Sequence, residues 1–590
     1  MFKLLKQLKA KEWLMIFIAI CFIVLQVFLD LKMPDYMNTI TQISQGGINQ
    51  ATGQQYTLSE IWINGLYMLL CALGSLASSI ITSFFIVKVA SNFSARIRKN
   101  LYTKVQGFSL AEINKFNTSS LITRTTNDVQ QVQMFLTMGL QLLIKSPITA
   151  VWAIIKIAGK QWQWSLAVGV AVAFMLICII IIIALVIKKF AKIQKLTDNL
   201  NKVTRENLSG IRIIRANNAE KYQTSKFEKV NDEYTNTQLY TGKITSAISP
   251  VISLTLNGIS LAIYWIGAII INKASLLEVK PLFADMVVFL SYGMQIISSF
   301  MMLVMVFMFA PRAIISAKRI MEVLSVKETI SDGAGVLNTQ EKGTVEFKNV
   351  CFHYPDASEN VLTDISFKVN KGQTIALIGS TGCGKTTIVN LISRFFDATE
   401  GEVLVDGHNV KEYTKSQLSQ KIGYVSQKAT LFSGDIRENI NFGDNKADDK
   451  LLNKAIEISQ SDDFIYSKTD GLDSHVSQNG SNFSGGQKQR LSIARALARN
   501  AEIYIFDDTF SALDYKTDKI LRSELKEEMH DSTCIIVAQR IGTIMDADLI
   551  LVIDDGKIVG KGTHKELLKT NKTYQEIAFS QLSKEELENA

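Results

Sequence analysis

The segment Ser165–Ile187 (SLAVGVAVAFMLICIIIIIALVI) contains no charged residue, and it constrains the fold more than any other stretch. A helix needs ~20 mostly apolar residues to cross the hydrocarbon of a bilayer, and this run meets that length. Comparable runs occupy 13–33, 61–87, 134–158, 246–271 and 283–310. Six membrane-spanning helices are therefore predicted over roughly the first half of the chain. At 590 residues the chain exceeds what one hydrophobic core supports, so a second domain is expected.

Basic residues orient the spans. Lys3, Lys6, Lys9 and Lys11 precede the first. Lys88, Arg96, Arg98, Lys99 and Lys104 follow the second, and Lys188, Lys189, Lys192, Lys195, Lys202, Arg205, Arg212 and Arg215 follow the fourth. The connections 34–58, 159–164 and 272–282 are poor in positive charge. Both termini are thus expected in the cytoplasm, with Trp162 and Trp164 at the outer interface. The basic start followed by an apolar stretch also fits a signal peptide, but no small-residue cleavage site follows. In residues 1–11, Phe2, Leu4, Leu5 and Leu8 alternate with lysines. That pattern suits a short helix on the inner membrane surface, or a disordered basic start.

The connections 88–133 and 188–245 are too long and polar for turns and read as membrane helices continued into the cytoplasm. Asp30, Lys145 and Lys156 fall towards span ends and read as interfacial. The stretch Met301–Phe309 suits either a polyspecific cavity wall or a lipid-facing surface. The net charge of +8 points to no nucleic acid partner, because no arginine-rich or aromatic-interleaved groove sequence occurs and the basic residues flank apolar spans. The six cysteines form no C-x-x-C pair, and none falls in a candidate external loop, so neither a disulfide framework nor a zinc site is indicated.

Residues 344–590 read as a soluble α/β domain, joined to a membrane domain at 1–325 by a polar linker at 326–343. Strand-like stretches occur at 344–350 and 373–378. The second leads into Gly379-Ser380-Thr381-Gly382-Cys383-Gly384-Lys385-Thr386-Thr387 and then a helical IVNLISRFF. This is G-x-x-x-x-G-K-[ST] between a strand and a helix. Its glycines let backbone N–H groups close around phosphates, and the helix N-terminus adds its positive dipole end. Lys385 would reach the β- and γ-phosphates of ATP, and Thr386 would ligate Mg²⁺. The apolar run Ile503–Phe506 ends in Asp507 and Asp508, as a buried parallel strand does. Asp507 suits magnesium, and Asp508 is placed to orient the attacking water.

Between these lies Phe483-Ser484-Gly485-Gly486-Gln487-Lys488-Gln489-Arg490, which closely resembles the signature of the ATP-binding-cassette (ABC) family. The resemblance implies that Tyr354 in FHYPD stacks on adenine, that Gln427 touches Mg²⁺ and faces the membrane domain, and that Ser511–Asp514 is the D-loop, with Asp514 at the nucleotide. The membrane half is similar to ABC exporters at 107–129, 206–227 and 316–324. The fold implied is a six-helix exporter membrane domain fused to a P-loop NTPase cassette. A dimer of two such halves in the cell membrane is implied too, with ATP and Mg²⁺ as cofactors.

Two positions depart from that family. Asp508 stands where glutamate is usual and Gln539 where a switch histidine is usual. Aspartate is one methylene shorter, and a misplacement near 1 Å can cost ~10²-fold in rate. Glutamine can bond the γ-phosphate but cannot carry a proton. Both changes fall on this chain's own phosphate-loop side, while Ser484–Gln487 is intact. A heterodimer is therefore expected, whose partner chain carries the Glu and His; a slow homodimer is the alternative. Ser477 and Gln478 also depart from the usual pattern. Export of small amphipathic compounds, lipid flipping and a non-transporting regulatory role all remain open at this point.

Overall fold

The computed structural model describes residues 2–45, 58–158, 161–275, 278–337, 339, 341–355, 357–443 and 447–582. Residues 46–57 of the expected loop 34–58, Asp356 of the FHYPD stretch, and the side chains of Phe307 and Met308 lie outside that description. The chain divides into two compact units. One comprises residues 1–104 with 120–325, and the other comprises 105–119 with 326–590.

Among the described residues six helices, mainly in the first unit, are long and apolar enough to cross a membrane: Ala10–Ser44, Ser59–Gln106, Thr118–Ile157, Trp162–Ser209, Glu220–Lys273 and Val279–Leu324. At 1.5 Å per residue the longer ones reach about 70–80 Å, more than twice the ~30 Å hydrocarbon thickness. The polar connections are thus helical continuations of the spans, as their composition suggests. The first helix runs on past its expected end at 33, through Pro34, to Ser44. The third breaks its regular winding at two wide π-type turns, Arg124–Asp128 and Phe135–Gly139, before Leu140–Ile157.

Ala19, Ile23, Val27 and Leu31, four residues apart on the first helix, form one buried stripe of the membrane unit's core. Trp164 corrects an expectation. It is fully buried, with its ring 5.5 Å from that of Phe289, whereas Trp162 is 68% exposed. Gly267 packs beside it: a Cβ there would lie 2.4 Å from Met286 Sδ, so the glycine makes room for Met286, and Trp164 stands in ordinary contact at 3.5 Å. At the N-terminus only Phe2–Leu5 is helical, and Leu4 and Leu8 are buried in the protein. The leucines therefore face inward while the lysines stay exposed. Glu12 then caps the first span helix through Lys9 N and pairs with Arg96 at 2.7 Å.

Lys145 is not interfacial by its place in the helix. It sits about three turns, roughly 18 Å, before the helix ends at Ile157. Its ammonium lies 3.4 Å from Asp30, which also accepts from Ser75 Oγ at 2.5 Å.

The described residues of the second unit hold twelve strands: β1 (Val345–Phe352), β2 (Leu362–Val369), β3 (Thr374–Ile378), β4 (Glu400–Val405), β5 (His408–Asn409), β6 (Ile422–Val425), β7 (Gly434–Asp435), β8 (His475–Val476), β9 (Ile503–Asp507), β10 (Thr533–Val537), β11 (Leu549–Asp554) and β12 (Lys557–Gly562). An antiparallel sheet runs β2-β1-β4-β5, and a larger sheet runs β12-β11-β3-β10-β9-β6. In the larger sheet every pairing is parallel except that of the edge strand β12. All five residues of β9 are buried, as its apolar run predicts for a strand covered on both faces.

Candidate functional site

The strand order brings the site together. β3 lies between β11 and β10, and β10 pairs with β9, all parallel. Their carboxyl ends therefore emerge along one edge, where α/β sheets hold ligands. β3 releases the phosphate loop there, β9 ends in Asp507 with Asp508 next, and Gln539 lies two residues beyond β10.

Gly382 and Gly384 adopt φ +89° and +103°, conformations open to glycine and strained for other residues. A Cβ at Gly384 would also meet Leu362 Cδ2 at 2.6 Å, and one at Gly379 would meet Ile553 O at 2.0 Å. The Lys385 ammonium folds back over its loop, donating to Gly379 O at 2.8 Å and Ser380 O at 2.7 Å, with Cys383 Sγ at 3.6 Å. Ser380, Thr381 and Gly382 are exposed. The helix Lys385–Ile392 follows. Within it, Thr387 Oγ1 bonds Tyr354 OH at 3.0 Å, and the Tyr354 ring stands edge-on to Phe352 and Phe396.

Thr386 Oγ1 donates to Asp507 Oδ1 at 3.1 Å. Burial pushes the Asp507 carboxyl above the ordinary carboxylate range, and neighbouring Asp508 adds to this, while bonds from Thr386 and Tyr424 act against it. A hydroxyl and a carboxylate converging on one point are hard oxygen donors, the set Mg²⁺ takes alongside substrate phosphates. Asp508 holds a left-handed φ of +48°. Its Oδ2 accepts from two amides, Gln539 Nε2 at 2.8 Å and Gln427 Nε2 at 3.0 Å. The two residues that depart from the family pattern are thus in direct contact.

The signature has a local structural logic as well. Ser484 caps the helix Gly485–Leu497: its hydroxyl accepts from Gln487 N, and Gln487 Oε1 accepts from Ser484 N at 3.0 Å. This is the reciprocal S-x-x-Q capping arrangement. A Cβ at Gly485 would meet nothing within 4 Å, and one at Gly486 would reach Ala512 O only at 3.4 Å. Asp514 caps Tyr515–Glu528 by accepting from Thr517 N at 3.0 Å, and that bond lowers its carboxyl pKa. Ser477 and Gln478 shape a tight turn, with Ser477 N donating to Asn482 Oδ1 at 3.0 Å and Asn479 at φ +56°. Among the described residues no hydrogen bond joins Ser484–Gln487 to Gly379–Thr387.

Two contributors were not picked out from the sequence. Tyr424 donates to Asp507 Oδ2 at 3.4 Å, and its ring stands edge-on to Phe395 at 5.5 Å. Both rings line a cavity of about 480 Å³ shared with Gly107, Phe108 and Arg495. Glu112, in the segment 105–119, accepts from Ser109 N at 2.6 Å and Thr329 N at 3.0 Å. Its S-x-x-E spacing was a legible cap signal, whereas Tyr424 is one aromatic in a short strand with nothing in its pattern to mark it.

Residues 362–511 match the ABC transporter family, and residues 16–315 match the ABC transporter transmembrane region. The chain belongs to the ABC transporter family. It joins a transporter membrane region to a cassette that binds ATP, an ATPase coupled to transport, in the fold of an exporter half-transporter. It is 37% identical over 524 residues, 88% of each chain, to an uncharacterized ABC transporter ATP-binding protein of Mycobacterium tuberculosis. It is 32% identical over 513 residues (87% of this chain, 84% of the relative) to the ATP-dependent lipid A-core flippase of Pseudomonas fluorescens. Its fold is similar to that of a bacterial Atm1-family ABC exporter with ATP bound, with TM-score 0.76 and 23% identity over 95% of this chain and 98% of that one.

Proposed function

We propose that this chain is the slow-site half of a heterodimeric exporter of small amphipathic compounds in the cell membrane, with both termini cytoplasmic. A membrane domain at 1–325, a linker at 326–343 and a cassette at 344–590 make up this half. The observation that carries the reading is the double contact on Asp508 Oδ2. A general base must present a free lone pair to the attacking water. Here two amide groups occupy one of its two carboxylate oxygens, one of them from the side chain that stands where a proton-carrying histidine is usual.

The remaining roles follow from placement. Lys385 leaves its own loop carbonyls to meet the β- and γ-phosphates, the backbone of Gly379–Gly384, exposed at Ser380–Gly382, cradles them, and Tyr354 stacks on adenine. Thr386, Asp507 and Gln427 would hold Mg²⁺, which when bound neutralises phosphoryl charge. Ser484–Gln487 makes no hydrogen bond to its own phosphate loop among the described residues, which supports its serving the nucleotide of the partner. That partner would carry Glu and His, and its site would turn over faster.

The test is Mg·ATPase activity of the purified chain, alone and co-expressed with a cassette encoded beside it. Feeble activity alone and a strong rise with a Glu- and His-bearing partner supports the reading. Robust turnover alone, abolished by Lys385→Ala, overturns it in favour of a homodimer. The similarity to a protein named as a lipid A-core flippase favours lipid flipping as the second reading. Vesicle assays with labelled lipids and with dyes separate the two, and no vectorial movement with any partner would leave a regulatory subunit.

A further inference from the structure

Charged side chains on the span helices, Asp30 and Lys145 within a span and Asp35 and Lys156 nearer its end, have no part in the ATP chemistry. On the first span helix Asp30 meets Lys145, and Asp35 meets Lys156 of the third at 2.6 Å, with Lys32 at 3.8 Å. Asp30 Oδ1 also accepts from Ser75, and Asp35 Oδ1 from Tyr292 OH at 2.8 Å. Lys145 and Lys156 bracket an open groove of about 460 Å³ on the third helix, lined by Pro147, Ile148, Val151, Trp152 and Ile155. The Trp152 ring stacks at a tilt on Phe28 of the first helix, 5.7 Å away. Lys145 lies three residues before Ile148 on the same helix, and Asp30 two residues after Phe28, so the Asp30–Lys145 pair stands about one turn from the apolar stripe. The side chains of Asp30 and Lys145 are 26% and 22% exposed, so a ligand can reach them while most of their surface is shielded.

Ion pairs taken out of water contribute little net stability, and ionised groups within spans mark functional paths. What they impose is a charge rule. A ligand carrying one charge can pair with Asp30 or with Lys145, and it leaves the other uncompensated in a poorly solvated place. A head group carrying both charges inserts into the pair and leaves neither alone. The groove volume suits one chain or a drug-sized body.

We infer that the seam between the first and third span helices binds a single-chain amphipathic molecule with a zwitterionic head group. Its apolar body lies along Ile148, Val151, Trp152 and Ile155, its cationic group meets Asp30, and its anionic group meets Lys145. As a substrate class this rests on the export reading above; as a binding site it does not.

The test uses the purified transporter in nanodiscs of phosphatidylglycerol, so that the bilayer supplies no zwitterion. Three nitroxide-labelled C12 chains serve as probes, with phosphocholine, trimethylammonium or sulfate heads. Quenching of Trp152 fluorescence, taken as the difference from Trp152→Phe, reads binding. The phosphocholine chain is expected to bind about tenfold more tightly than either singly charged chain. Lys145→Met moves the preference to the cation and Asp30→Asn moves it to the anion. Should either single variant fail to accumulate, two pair-preserving changes decide. Asp30→Lys with Lys145→Asp keeps the zwitterion preference, and Asp30→Asn with Lys145→Met loses it about tenfold. Equal binding of all three chains by the unaltered protein, or unchanged phosphocholine binding when the pair is neutralised, overturns the inference. Unchanged export of the phosphocholine chain by the neutralised variant overturns its substrate role while the export reading stands. Binding as expected with no export by any pairing overturns the export reading and leaves the site.

Discussion

Gln539 Nε2 donates to Asp508 Oδ2 at 2.8 Å, so the two departures from the family pattern form one contact. Gln427 Nε2 approaches the same oxygen at 3.0 Å. A substitution at one position alone leaves its neighbour shaped for the other, which makes the pair the natural unit for mutation.

Asp508→Glu with Gln539→His is expected to raise Mg·ATP turnover at this site by between ~10-fold and ~100-fold, the scale of a base misplaced by about 1 Å. Each single change is expected to do less than its share, because the residues touch. Phosphate release under single-turnover conditions measures this. Conversely, for the heterodimer proposed above, Asp508→Asn is expected to lower turnover far less than loss of the glutamate proposed for the partner. Equal losses from the two changes count against a slow site here.

Asp507 carries a stability cost from its burial. Burial raises its carboxyl pKa, and Asp508 adds to the effect. A carboxyl raised in the folded state holds its proton more tightly there than in the unfolded chain. Stability is therefore fully present below the ordinary carboxyl range and declines as pH rises to the folded value. Asp507→Asn is expected to raise the Tm of the nucleotide-free protein in EDTA at pH 7.5, with the gain shrinking towards pH 4. The same variant is expected to lose at least ~100-fold in turnover. Calorimetry at the two pH values with an ATPase assay checks both halves; a lower Tm at pH 7.5 contradicts the burial account.

Tyr424 touches Asp507 with its hydroxyl and faces the cavity beside Phe108 with its ring. Tyr424→Phe keeps the contact with Phe395 and removes one bond worth about 1 kcal/mol. A two- to fivefold fall in kcat with KM for ATP nearly unchanged is expected, and no change in kcat would show that the hydroxyl is idle.

Much of this was readable from residue patterns, for reasons that can be named. Span helices declare themselves because lipid demands about 20 apolar residues in a row, and Ser165–Ile187 has no competing interpretation. The phosphate loop is legible because only glycine tolerates φ +89° and +103° at Gly382 and Gly384. Trp164 was misread because nearness to a span end says nothing of whether a neighbouring helix offers a slot, and Phe289, against which it packs, lies on another span. The Asp30–Lys145 pair was hidden for the same reason. Each charge alone resembles an interfacial residue until the first and third helices are known to be adjacent.

Glu112 carries the last prediction. Burial alone would raise its carboxyl pKa, but bonds from Ser109 and Thr329 outweigh it and hold the group below the ordinary glutamate range. Its contribution is therefore complete at neutral pH and lost as pH falls through that lowered value. Through these bonds it both caps the helix Leu110–Phe116 and ties the segment 105–119 to the chain at Thr329. Glu112→Ala is expected to cost ~1–2 kcal/mol of local stability, as the loss of a helix-capping bond does. If the segment transmits closure of the cassette, dye export by vesicles falls about tenfold while Mg·ATPase stays within about twofold. Glu112→Gln, which keeps an acceptor oxygen, is expected to recover most of the export. Parallel loss of hydrolysis and export in the alanine variant would mean that Glu112 only holds the unit together, since a broken fold cannot spare one activity and remove the other.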